Sequence, residues 1–211
     1  FMQGHVDEAV DGLVPLIERT RAVNMTQNLA VLLGGTSRIL SQLGRPDEAR
    51  PLFEEASTVL GPEAGDPLAR LAIADASLRL ADGDEDGAAA VLRAALESRG
   101  IDHGVDRRVW RHTLPLSYAL VPETRPEWDK APLLDFFVVC RELAAAVVAA
   151  REGGDDARLR SLELPPAGVI RAALHHRLAA DLAVGLQSVD HPGAPALLET
   201  IGPVGRAAVR D

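Results

Sequence analysis

Leu43-Gly44-Arg45-Pro46-Asp47-Glu48-Ala49 is the stretch on which the fold turns. The apolar and small residues that start at its end, Ala49, Leu52, Phe53, Ala56, Val59 and Leu60, stand at i, i+3, i+4, i+7, i+10 and i+11. That spacing lines one face of an α-helix. The motif has two counterparts, Gly4-His5-Val6-Asp7-Glu8-Ala9 and Gly83-Asp84-Glu85-Asp86-Gly87-Ala88, whose glycines lie 40 residues before and 39 after Gly44. Behind the third copy the face continues as Ala88, Val91, Leu92 and Ala95. Behind the first it reads Ala9, Gly12, Leu13 and Leu16. Pro15 and Pro51 fall inside these runs, where a proline removes one backbone hydrogen bond. Three copies in register predict an internal repeat of helical units.

Working outward, the 211 residues are 47% hydrophobic but only 3% aromatic, which suits one or two helical domains with aliphatic cores. The formal charge of −9 and pI of about 5.2 describe a surface that repels phosphate backbones and anionic lipid, so direct nucleic-acid binding is not expected. Arginine supplies nearly all the positive charge, Lys130 being the only lysine, and alanine is abundant, a bias typical of GC-rich bacterial genomes. The single cysteine, Cys140, allows neither an internal disulfide nor a cysteine cage for zinc, and a cytoplasmic location is the default expectation. Residue 1 is Phe and no secretory leader pattern precedes Gly34, so the chain reads as a segment of a longer protein.

The run from Leu43 to Ala49, with Phe53 and Ala56, resembles the second half of a tetratricopeptide repeat (TPR). The resemblance implies that Ala49, Phe53 and Ala56 are small-large-small packing positions, with Leu33, Ser37 and Leu40 on the leading helix and Ala88, Leu92 and Ala95 in the next unit. Small residues there make physical sense, because helices 8–10 Å apart need slots that a neighbour's ridge can enter. The period departs from the roughly 34 residues usual for that repeat. The excess is expected in an inter-repeat loop at Gly61-Pro62-Glu63-Ala64-Gly65-Asp66-Pro67. Counting back from Gly4 leaves the first copy without a leading helix, so an upstream helix or a terminal partner is expected. The resemblance further implies a concave surface lined by leading helices. In the second unit its outward positions are Val31, Gly34, Arg38, Ser41 and Gln42, a groove for a peptide or another domain's helix with Arg38 as the charged anchor.

Beyond the repeats, Val109, Trp110, Leu114, Leu116 and Leu120 mark a helix over 105–120, interrupted at Pro115, and residues 122–129 read as a turn or loop. From Pro132 to Arg151 the chain is apolar on nearly every side, which predicts a central buried helix, since the run is shorter than the roughly 20 residues of a membrane span. Gly153-Gly154 ends it. After Pro165-Pro166, the residues Val169, Ile170, Ala173, Leu174, Leu178, Leu182 and Leu186 keep helical spacing, and two short helices are expected near 195–200 and 203–210. The stretch from Ala172-Ala173-Leu174-His175-His176 through Pro192-Gly193 to Gly205-Arg206-Ala207 resembles the region before the C-terminal module of large multidomain bacterial transcriptional regulators, of the antibiotic regulatory protein or bacterial transcriptional activator type or the large LuxR type. Those proteins keep DNA-binding and nucleotide-binding functions in separate domains.

No catalytic constellation emerges. Leu33-Gly34-Gly35-Thr36-Ser37-Arg38 lacks the Gly-Lys-Ser/Thr ending of a nucleotide loop and follows no strand. His175 and His176 are adjacent, so they point apart on a helix, while His5, His103, His112 and His191 are scattered; no set of three or four metal ligands forms. These histidines read as surface or partly buried side chains. Cys140, flanked by Val138, Val139 and Leu143, reads as a core thiol. Glu54-Glu55, Asp84-Glu85-Asp86 and Asp155-Asp156 read as solvated charge or as partners of helix N-termini.

The expected architecture is all-α: a TPR-like right-handed helical-repeat superhelix (an α-α solenoid) with additional C-terminal helices. Residues 1–100 form the repeats, 101–160 a further helical hairpin around the buried apolar helix, and 161–211 a short-helix segment leading to a further domain. The expected role is non-catalytic binding and signal relay inside a large bacterial transcriptional regulator, with a peptide, a partner protein or another domain of the same chain as ligand. No cofactor, metal or membrane is called for, and self-association into a homodimer stays open. Two other classes stay open beside it: a stand-alone TPR adaptor or scaffold, and a small-molecule sensor holding its ligand near Trp110, Phe136 and Phe137.

Overall fold

The computed structural model describes residues 3–23, 25–60, 65–97, 113–131 and 133–202, and every regular element among them is helical. Two compact units divide the chain: one comprises Asp7–Thr113, and the other Phe1–Val6 with Leu114–Asp211.

In the first unit the helices are α1 (Val6–Ala22), α2 (Thr26–Gln42), α3 (Pro46–Leu60), α4 (Gly65–Ala81) and α5 (Glu85–Glu97). The sequence period is written into the backbone. α4 begins 39 residues after α2, and α5 begins 39 after α3. The turns inside the two pairs are the same turn. Gly44 has φ +76° and Gly83 φ +86°, the left-handed region that costs glycine no Cβ clash. Around them the Arg45 amide donates to the Leu40 carbonyl at 2.9 Å and the Asp84 amide to the Arg79 carbonyl at 2.8 Å. These bonds run from the residue after the glycine back to the last helical turn, satisfying carbonyls that the ended helix leaves over. Gly4 repeats the conformation at φ +90°.

Small residues then let the helices close on one another. Ala49, Ala56 and Ala88 are fully buried, as is Leu92 at the next turn of α5, while Phe53 and Ala95 are half-buried. Leu33, Ser37 and Leu40 face inward from α2. One cluster joins Ile17, Leu29, Leu33, Ala56 and Leu71, with Leu52, Phe53, Val59 and Leu60 packed against it. Ion pairs tie the helices at the rim, Arg21 of α1 to Glu55 of α3 at 2.9 Å and Arg50 of α3 to Asp82 beside Gly83 at 2.9 Å. Both internal prolines are tolerated: Pro15 and Pro51 are exposed, so the carbonyls they leave unpaired sit on the solvent side of unbroken helices.

The structure corrects the face of α1. Ala9 and Leu13 are half-buried, Gly12 is exposed and Leu16 is 43% exposed, while Val6, Val10, Ile17 and Thr20 are buried. The inward face is turned by roughly 70° from the one the repeat register predicts. Val10 and Ile17 offer far more apolar area to bury than Ala9 and Gly12, and burial rewards area.

The second unit is built from α6 (Leu114–Leu120), a 3-10 turn (Pro122–Thr124), α7 (Arg125–Lys130), α8 (Asp135–Glu152), α9 (Asp156–Ser161), α10 (Ala167–Ala173), α11 (His176–Ser188) and α12 (Ala194–Thr200). α8 is the central helix that its all-round apolarity predicts. Phe137, Cys140, Leu143, Ala144, Ala146 and Val147 are buried, and α6 and α11 pack on it. At the α8–α11 crossing a Cβ on Gly185 would lie 2.3 Å from the Cβ of Ala150, so the two backbones approach as closely as glycine permits. Gly153 and Gly154, at φ +72° and +88°, end α8.

Three expectations for this unit change. Residues 122–129 are helical, the 3-10 turn running into α7, where Pro122 and Pro126 occupy first-turn positions that need no amide donor. α9 appears where no helix is expected; the Asp155 carboxylate accepts the Arg158 amide at 3.1 Å and caps it. The helical run after Pro166 is two helices, because Leu174 and His175 are extended, both with ψ 142°. The His175 Nδ1 accepts the Arg177 amide at 3.3 Å and starts α11. The expected helix residues 105–112, with Val109 and Trp110, the inter-repeat residues 61–64 and the last short helix at 203–210 lie outside the described residues.

Candidate binding face

The leading helix α2 carries the groove residues, and its packing decides which of them are available. Val31 and Arg38 are half-buried and reach the surface. Gly34, Ser41 and Gln42 do not: all three are buried. A Cβ on Gly34 would stand 3.1 Å from Cδ2 of Leu71, so this glycine is the slot into which α4 fits. Gln42 acts from within the fold, its Oε1 accepting a 3.0 Å bond from Arg38 and holding the guanidinium along the helix. Gly35 is not among the positions expected to face outward. It is half-buried, and a Cβ there would meet nothing within 4 Å. In a pair of adjacent glycines, sequence alone does not tell which one faces a neighbour.

The open strip of α2 is therefore Val31, Gly35 and Arg38, at i, i+4 and i+7. It does not recur on α4: 39 residues on from Gly35 and Arg38 stand Ala74 and Ser77, at 0% and 1% exposure. From Leu71 onward the surface of α4 includes Ala72, Asp75 and Arg79, half-buried, with Arg79 bonded to Asp75 at 2.9 Å and to Asp84 at 3.1 Å. Asp75 first, then Asp84, raises the Arg79 pKa above its ordinary value. At the α2–α3 turn, Arg45 and Glu48 share two 2.7 Å bonds that raise the pKa of the arginine and lower that of the carboxylate. The face thus combines an apolar residue, a gap and a guanidinium on one helix, beside an internally paired acid-base patch on the next.

The remaining residues singled out for chemistry have structural surroundings. The Leu33–Arg38 glycine pair lies within α2, whose amides are committed to helical bonds, so it forms no phosphate cradle. Cys140 is 1% exposed. His175 and His176 are buried, a correction to the surface or partly buried reading, with ring centroids 4.4 Å apart. His191 Nδ1 accepts the Gly193 amide at 3.0 Å, which leaves Nε2 as the donor to the Leu162 carbonyl, also at 3.0 Å; the ring joins the α9–α10 linker to the turn before α12. His103 and His112 lie outside the described residues. Phe137 is buried and its ring meets Phe136 edge-on at 5.4 Å, so the pair serves the core of the second unit. Among the described residues no three His, Cys, Asp or Glu side chains are grouped to hold a metal ion, and no helix is long and apolar enough to cross a membrane.

Compared with known proteins, the chain matches no family model, no curated protein and no solved structure.

Proposed function

We propose that residues 7–113 are a TPR-like helical-repeat module, an α-α solenoid stretched to a 39- or 40-residue period, that binds a peptide or a helix of a partner protein and catalyses nothing. The observation that carries the reading is the recurrence of one turn. Gly44 and Gly83 share their φ, their capping bonds and the fully buried alanines that follow, Ala49 and Ala88. Stacked units of this kind present the same helix of each pair along one surface, and such surfaces receive extended or helical peptides. Here the surface is one helix wide, Val31, Gly35 and Arg38, since Ala74 and Ser77 are covered.

In the reading we favour, the module belongs to a large, cytoplasmic bacterial transcriptional regulator and relays the presence of its ligand to separate DNA-binding domains. Support comes from the wording of residues 172–207 and from the net charge of −9 on the whole chain, which disfavours contact with DNA. The test is a peptide array, tiled from the proteins of the source organism, probed with the wild-type chain and with Val31→Arg and Arg38→Glu. Bound peptides should lose affinity by about tenfold or more in each variant, the size expected when one central contact of about 1.4 kcal/mol is removed. Unchanged binding in both variants would move the site off α2.

A further inference from the structure

We draw no further inference here: the strongest candidate, the surface recess beside α8 and α9 lined by Glu142, Asp155, Arg158 and Glu163, is an acidic cluster whose arginine already pairs with Asp155 and Glu142, and no unpartnered buried group among the described residues points into it to mark a ligand.

Discussion

The Ser37 hydroxyl is wholly buried on α2 and has no hydrogen-bond partner. The TPR-like reading proposed above expects a small residue at this position, not a polar one. Ser37→Ala keeps the volume, removes the unsatisfied oxygen and improves helix propensity, so it should stabilise the chain by about 1 kcal/mol. Urea unfolding of the two proteins measures this, and a loss of stability would reveal a bond to the hydroxyl. Tyr118 offers a second test, because it is the only tyrosine and its absorbance reports one site. Burial first, then the 3.0 Å bond to Asp129, raises the phenol's pKa above its ordinary value of 10. With the folded pKa above the unfolded one, the stabilisation is complete below the unfolded value and is lost as pH rises through the folded one. Tyrosinate absorbance should therefore appear at higher pH in the native chain than in urea. Tyr118→Phe should flatten the alkaline side of the stability curve, and coincident titrations in the two states would refute the assignment.

Between residues and helices the decisive device is the turn at Gly44 and Gly83. An alanine at either position must adopt positive φ, at a cost of roughly 1–2 kcal/mol. Since both turns have the same conformation and bonds, Gly44→Ala and Gly83→Ala should lower stability by similar amounts in thermal unfolding. A large effect at one and none at the other would mean that the two pairs are not equivalent units. The same scale shows where helical periodicity misleads. Leu174 through Leu186 keep perfect spacing across a break, because spacing records which residues are apolar and His175 decides where the backbone changes direction. α1 shows the converse: the motif at Gly4 is present, but Val10 and Ile17 turn the helix away from the face its register predicts.

At the scale of the whole molecule, the first unit contains its own core around Leu33, Ala56 and Leu71, and it should fold without the second. A fragment of residues 7–113 should show helical circular dichroism and a cooperative thermal transition. A noncooperative melt would mean that the unit depends on the rest of the chain.

The helices Pro46–Leu60, Glu85–Glu97 and Asp135–Glu152 were legible in the sequence, because apolar periodicity is a local property that any packing must respect. So was the 39- or 40-residue period, which Gly44 and Gly83 announce through the one residue type that a left-handed turn favours. The candidate face was legible only in part. Of the positions that the repeat register turns outward, Val31 and Arg38 are half-buried while Gly34, Ser41 and Gln42 are buried, and Gly35 has open space beside it. Exposure of a helix position depends on which neighbours pack against it and at what angle. Only the approach of Leu71 separates Gly34, a slot in the core, from Gly35, a gap on the surface.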